Sequence, residues 1–476
     1  MLLGRERELS FIEKEYAASE SFVILYGRRG MGKTSIIIEF LKDKRFLYFS
    51  ATKEIAKLHK ERFKHCLDIF IGRHTKTPAE WEDMFRAFAQ TNSGKKKVLV
   101  LDDIQYISVK SSEFFEILFD CWERYLKPAN VMVLLSGNFT SVTAYDGSGR
   151  ATGNETLQVP DFVKTMKIRQ MRFNQVHGCF PELTFTELLE RFLVAGGEPK
   201  YFKYFYNKTP LMENISRYVL DRDAPLYDEP LAILEREVRE PAHYFSILKV
   251  LSKTQQKLHD IYSTLGERAN TLSPYISSMI DLNHVVKRLP PTEPNPEKSR
   301  RGNYYIYSIF ISFWFNFIYP HLDELEIGRK EEAIMHINSA LGSGDHMWNL
   351  SYRVARDIFL WLCETKQFDF DPGIREKTGA LRDKDKISLP LVSMEEGTER
   401  AFCALCKYNH CDPLGLPMLQ ELVERCAVNK DVRDRDIIYG LFSKTGFDSA
   451  LVAQAENMGN VLLVNELDIV VAPRES

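Results

Sequence analysis

Residues Phe22–Phe40 read FVILYGRRGMGKTSIIIEF: an apolar run, a glycine-bounded loop and an apolar-periodic segment, in that order. Phe22 to Tyr26 predict a buried strand. Gly27 opens a turn, and Gly32, Lys33 and Thr34 close it in the first turn of a helix carrying Ile36, Ile37 and Phe40. A GxxxxGK[ST] segment between a strand and a helix is the arrangement that wraps phosphate, because glycines let backbone N–H groups face an anion at close range. The candidate cradle runs through Gly27, Arg28, Arg29, Gly30, Met31, Gly32, Lys33, Thr34 and Ser35. Lys33 would neutralise β- and γ-phosphate oxygens, Thr34 would ligate Mg²⁺, and the positive end of the helix adds to the same field. ATP and Mg²⁺ are therefore the expected ligands.

On the N-terminal side of this stretch, Gly4 to Tyr16 predict an amphipathic helix with Leu9, Ile12 and Tyr16 on one face. On the C-terminal side, Arg45 to Ser50 predict a second strand and Trp81 to Gln90 a helix. The basic triplet Lys95-Lys96-Lys97 then leads into Val98-Leu99-Val100-Leu101-Asp102-Asp103. Four apolar residues ending in two acids form a second nucleotide signature. A strand buried on both faces delivers Asp102 to the Mg²⁺ shell, and Asp103 follows where a general base could polarise water. Val131 to Leu135 predict another buried strand, ending in Ser136-Gly137-Asn138. Asn138 there could orient water or sense the γ-phosphate, and it also fits a simple turn. Strands alternating with helices make a parallel sheet with ligands at its carboxyl edge.

With 476 residues the chain exceeds a single core, and 44% apolar with 27% charged residues describes an ordinary globular protein. A net charge of −3 excludes a protein that coats nucleic acid by bulk charge, so any such contact must be local. Eight cysteines without regular spacing read as reduced thiols of a cytoplasmic protein. The start, MLLGRERELSFIEKEY, is too charged for a signal peptide, and Tyr304 to Pro320 is too short and too broken to span a bilayer securely. No membrane partner is expected.

The segments GRERELSFIEKEY, YGRRGMGKTS, VLVLDDIQYI, LLSGN, YDGSGRATG and AGGEPKYF, in this order, resemble the archaeal-type ATPases, which belong with the signal-transduction (STAND) ATPases related to origin-recognition and AAA+ proteins. The resemblance extends over the whole chain through the partner domains such ATPases often carry. It implies that Pro199, in Gly196-Gly197-Glu198-Pro199, belongs to a lid signature and lies against adenine, and that Arg5 lies near the base. It also implies a role for Arg150 on the phosphates, although Arg150 equally fits a surface cation in a Gly-Ser turn. One departure stands out: the family ends its acid-bearing strand in Asp-Glu, and here the pair is Asp102-Asp103. The shorter side chain withdraws the base by about 1.5 Å. Misplacement on that scale costs roughly a hundredfold in rate, so slow turnover is expected.

The expected domains are an ATPase domain with its lid over 1–205 and a helical connector over 206–240. A winged helix-turn-helix over 241–320 and a linker over 321–345 follow, and then a restriction-endonuclease-like domain over 346–476. The fold class is thus α/β: a P-loop NTPase parallel sheet with a helical lid, a winged helix-turn-helix, and a small α/β nuclease-like domain. In the middle region, Asn214 to Glu240 read as a charged helical connector. Three helices then follow at Tyr244–Leu251, Lys257–Leu265 and Ser273–Leu282, the last capped by Ser273, with a hairpin after them. Its tip carries Lys298, Arg300 and Arg301, flanked by Lys287 and Arg288, a phosphate-contacting set if the wing meets DNA. The helix SPYISSMIDLN has no basic residue with which to read bases, so contact with this chain's own ATPase domain or with a protein partner stands beside DNA contact, as does a homo-oligomer.

From Trp348 on, the resemblance is to a domain similar to restriction-endonuclease-like nucleases, which need an acid on the first helix, an acid on the next strand and Glu-x-Lys on the strand after. Asp357 could stand for the helix acid, but Lys386-Ile387-Ser388 and Leu405-Cys406-Lys407 occupy the other two positions, so two of three anionic ligands are missing. A catalytically degenerate nuclease fold is expected. Cys403, Cys406, His410 and Cys411 invite a zinc reading, but a spacing of three on a strand sends Cys403 and Cys406 to opposite faces. Lys444 to Phe447 and Val461 to Val464 predict the closing strands. The leading functional expectation is an ATP-driven switch, with a DNA-binding ATPase of loader or origin-binding type and an ATP-gated nuclease as alternatives.

Overall fold

The computed structural model describes residues 4–76, 78–91, 94–108, 113–139, 141–144, 156–237, 240–253, 256–281, 286–289, 303–343, 345–372, 379–383, 386–395, 397–409 and 411–474. Arg150, Lys298, Arg300, Arg301 and His410 lie outside them. The chain forms two compact units: Met1–Gln170 with Glu198–Lys200 and Ser277–His284, and Met171–Gly197 with Tyr201–Ile276 and Val285–Ser476.

The first unit runs α1 (Glu6–Ala17), β1 (Phe22–Tyr26), α2 (Lys33–Phe40), β2 (Arg45–Ser50), α3 (Ala56–Ile71), α4 (Trp81–Gln90), β3 (Lys97–Asp102), α5 (Gln105–Ser108), α6 (Glu113–Cys121), β4 (Val131–Gly137), β5 (Ser141–Ala144), β6 (Thr156–Val159) and β7 (Lys164–Lys167). A five-stranded sheet has the order β2-β3-β4-β1-β7, every pairing parallel. Alternation along its strands explains their unbroken apolar sequence. Phe22, Ile24, Leu99, Leu101, Val133 and Leu135 enter the core on one face. Val23, Leu25, Val98, Val100, Met132 and Leu134 enter the core on the other, so both faces are covered by helices. The register pairs Ser50 with Asp102 and Tyr26 with Gly137, which aligns the carboxyl ends of four strands along one edge. Lys97, read above as part of a basic triplet, is the first residue of β3 and is buried. Its Nζ donates to the carbonyls of Phe88, Ala89 and Thr91 at 2.7–3.0 Å and so closes the C-terminal end of α4.

The second unit begins with α7 (Phe173–Cys179), α8 (Phe185–Ala195), α9 (Phe202–Phe205), α10 (Leu211–Ile215), α11 (Glu229–Glu237), α12 (Pro241–Lys253), β8 (Gln256–Lys257), α13 (Leu258–Leu265), α14 (Ala269–Asp281, whose last turn from Ser277 groups with the first unit), β9 (Val286–Leu289), β10 (Asn303–Ile306) and α15 (Ile309–Phe317). Strands β8, β10 and β9 form an antiparallel sheet in that order. The connector expected over Asn214–Glu240 is broken between Leu220 and Glu229, where Leu226 and Tyr227 turn inward. Tyr227 is held there by Trp314, whose Nε1 donates to its carbonyl at 2.6 Å. Helix α14 starts four residues before the expected Ser273 because the buried stripe Leu272, Ile276 and Met279 starts earlier. Ser273 is therefore no cap, and its hydroxyl bonds that of Tyr262 at 2.7 Å.

The remainder is α16 (Leu322–Glu326), α17 (Glu331–Ser343), α18 (Asp345–Glu364), β11 (Gly379–Asp383), β12 (Lys386–Met394), β13 (Arg400–Cys406), α19 (Leu416–Val428), β14 (Asp436–Ser443), α20 (Ser449–Met458), β15 (Val461–Asn465) and β16 (Asp468–Val471). These strands form a six-stranded mixed sheet in chain order, with only β13-β14-β15 parallel. Lys444 to Phe447 are not a strand: β14 ends at Ser443 and the chain turns through Gly446, whose φ of +84° suits a glycine. Helix α18 joins this sheet to the rest of its unit. Phe359 stacks on Phe402 with centroids 4.2 Å apart, and Arg353 donates to the Tyr307 carbonyl at 2.8 Å. Asp357 accepts from the Phe173 amide of α7 at 3.2 Å, and Glu364 pairs with Arg172 at 2.7 Å.

Candidate functional site

The loop between β1 and α2 follows the left-handed turns its glycines permit: φ is +138° at Gly27, +84° at Gly30 and +87° at Gly32. A Cβ at Gly27 would lie 2.4 Å from the Ile168 carbonyl oxygen, so this position takes nothing larger than glycine. Lys33 opens α2, and its buried Nζ donates to the carbonyls of Gly27 and Arg28 at 2.7 and 3.1 Å and to Asn138 Oδ1 at 2.9 Å. Asn138, just past β4, is thereby brought to the loop from the neighbouring strand.

Asp102 ends β3 at 2% exposure. Its Oδ2 accepts from the Thr34 hydroxyl at 2.8 Å and the Tyr48 hydroxyl at 2.7 Å, while its Oδ1 accepts from the Asp103 amide at 3.0 Å and from the Ser136 hydroxyl. Tyr48 on β2 and Ser136 on β4 flank β3, so the sheet order itself supplies two of the four donors. Burial and the Asp102 carboxylate together push the Tyr48 phenol well above its ordinary range, which keeps it a donor. Asp103 leaves the strand in the left-handed region at φ +55°, and Gln105 Nε2 donates to its carboxylate at 3.1 Å. Aspartate tolerates that backbone better than glutamate does, a local reason for the Asp-Asp pair.

Arg5 is 3% exposed, and its guanidinium donates to the Met31 and Arg169 carbonyls at 2.7 and 2.9 Å and pairs with Glu8 at 2.8 Å. It thus holds the back of the loop. Arg28 forms a buried ion pair with Glu198, and Arg29, Thr34 and Ser35 are exposed. Pro199 lies against Gly32: a Cβ there would be 3.6 Å from Pro199 Cγ.

Residues 2–205 match the ATPase domain family found predominantly in Archaea. A 46-residue stretch is 41% identical to an uncharacterised ATP-binding protein, MJ0423, of Methanocaldococcus jannaschii, covering 10% of this chain and 78% of that one. The chain belongs to the archaeal-type P-loop ATPases. Over 352 residues this ATPase is also 25% identical to the uncharacterised protein MJECL04 of the same organism, covering 72% and 75% of the two chains. Among solved structures it is similar to the Walker-type ATPase PABY2304 of Pyrococcus abyssi, with 14% identity, a TM-score of 0.48, and coverage of 66% and 96%.

The ATPase's donor set suits Mg²⁺ on chemical grounds. Thr34 and Asp102 offer a hydroxyl and a carboxylate oxygen side by side, and a small hard cation takes one or two such protein oxygens with phosphate and water completing the shell. Among the described residues, no group of three or more His, Cys, Asp and Glu is placed to hold a metal alone. Tyr48, Ser136, Gln105 and Glu198 are absent from the sequence-derived site. The first two stand 54 and 34 positions from Asp102 and become neighbours only through the strand order. No described helix is long and apolar enough to cross a membrane.

Proposed function

We propose that this ATPase is a nucleotide-driven conformational switch that hydrolyses ATP slowly and passes its nucleotide state to the modules after residue 205. One observation carries the reading: Lys33, Thr34, Asp102 and Asn138 meet at one edge of a parallel sheet, each bonded to another of the set. In this reading, phosphate oxygens replace the loop carbonyls and Asn138 as partners of the Lys33 ammonium, and Thr34 and Asp102 hold Mg²⁺, which would neutralise charge on the β- and γ-phosphates. Asp103 is the base, and its turned-out carboxylate, held by Gln105, supports slow turnover. Pro199, beside Gly32 of the loop, closes on the nucleotide as part of the helical lid.

The C-terminal domain is proposed to be inactive as a nuclease. Its one remaining acid, Asp357, spends its carboxylate on the Phe173 amide. The test of the switch is ATP binding by calorimetry. Wild type should bind in the presence of Mg²⁺ and Lys33→Ala should lose at least a hundredfold in affinity; equal affinities would remove the proposal.

A further inference from the structure

The first arginine of the phosphate-binding loop has a protein anion beside it. Arg28 and Glu198 form an ion pair whose side chains are 6% and 1% exposed. Glu198 also stands 3.8 Å from Lys200 Nζ. It reaches the loop on a three-residue strap, Glu198–Lys200, that groups with the first unit while the residues on both sides of it belong to the second. The strap follows the loop closely. A Cβ at Gly30 would meet the Lys200 stem at 2.6 Å, and one at Gly32 would meet Pro199 at 3.6 Å. The two glycines that let the loop approach phosphate thus also admit the strap.

We propose that Glu198 is an internal anion of this loop that sets its affinity for phosphate, reserving Arg28 until an incoming nucleotide competes for it. This rests on the nucleotide reading above and deepens it. A carboxylate and a phosphate compete for the same planar guanidinium fork, and phosphate, with more charge and more acceptor oxygens, is the stronger partner. The carboxylate also repels every phosphate oxygen in the cradle, at an effective dielectric well below that of water. A pair whose only task was stability would gain little from being ionic, because desolvation offsets most of the attraction. The strap's covalent continuity with the second unit on both sides makes release of Glu198 the event by which occupancy of the loop reaches the rest of the chain.

The experiment is calorimetric titration of the full chain with ATP and Mg²⁺ at several salt concentrations, using wild type, Glu198→Gln, Glu198→Asp and Lys33→Ala. Glu198→Gln should bind about tenfold more tightly than wild type, with a steeper loss of affinity as salt rises, because one more cation is open to the phosphates. Glu198→Asp, which keeps the charge but shortens its reach, should fall between the two. Unchanged or weaker binding by folded Glu198→Gln overturns the proposal, and leaves the nucleotide reading intact if Lys33→Ala still loses binding. If neither Glu198 variant folds, the pair is a folding element and the proposal falls as well. No binding by wild type would instead be the failure of the underlying reading.

Discussion

Asp102 is the most crowded residue of the site, with Thr34, Tyr48, Ser136 and the Asp103 amide all donating to one carboxylate. Thr34 and Asp102 would hold Mg²⁺, and Tyr48 already donates to Asp102 Oδ2, so the phenol would compete with a metal drawing on that oxygen. Removing that phenol has two opposite consequences. Tyr48→Phe leaves a buried carboxylate one donor short, which should cost about 1–3 kcal/mol and lower the melting temperature of the nucleotide-free protein. The same substitution leaves more electron density on Oδ2, so the Mg²⁺ concentration at half-saturation for ATP binding should fall severalfold. Thermal unfolding and a Mg²⁺ titration check the two signs separately, and a raised Mg²⁺ midpoint would mean that Tyr48 aims Asp102 rather than competing with the metal. The loop, Lys33, Thr34 and Asp102 were legible in the sequence because each sits in a contiguous motif whose spacing is set by the chemistry. Tyr48 and Ser136 were not, because nothing in the chain states which strand lies beside which.

At the scale of elements, legibility followed burial. Strands β1, β3 and β4 announce themselves as apolar runs, since helices cover both faces of the sheet. Helix α3 is harder to read: its inward face, His59, Phe63 and Leu67, is short and includes a histidine. The buried lysine that ends α4 was unreadable for a different reason, since a basic triplet looks the same whether it meets water or the carbonyls of a helix end. Burial, reinforced by nearby Arg45, lowers the Lys97 pKa to about 8 from 10.5. A lysine whose folded pKa lies below its unfolded value holds fewer protons when folded, so its burden on stability is full below the folded pKa. That burden is relieved as pH rises toward the unfolded one. Between about pH 8 and pH 10.5 the stability of wild type relative to Lys97→Met should therefore increase, as read by denaturant unfolding at fixed ionic strength. A second element-scale prediction concerns α7. Asp357→Ala removes the acceptor of the Phe173 amide, at a cost of about 1–3 kcal/mol, while Asp357→Asn keeps an acceptor and should cost less than half as much. Equal losses would mean that the charge of Asp357, and not its hydrogen bond, holds the contact.

For the molecule as a whole, the consequential feature is which parts belong together. Helices α7 and α8, the antiparallel sheet with α15, and the C-terminal mixed sheet all fall in one compact unit, and α18 touches each of them through Asp357 and Glu364, through Arg353, and through Phe359. The Arg172–Glu364 pair is about a quarter to a third exposed and contributes little by itself, so the buried Asp357 contact is the stronger link to α7. If nucleotide acts by moving the lid, α18 should respond with α7 and α8 as one body, because packed interiors shift between discrete arrangements and do not deform gradually. Hydrogen exchange followed by mass spectrometry, with and without ATP and Mg²⁺, should show protection changing in α7, α8 and α18 together. Asp357→Ala should keep the response of α8 and lose that of α18, while ATP affinity stays within about twofold of wild type, since the residue lies outside the phosphate loop. A wild-type response confined to the first unit would break the coupling argument at its centre. The C-terminal mixed sheet would then be a passenger, and α18 would serve only to hold the second unit together.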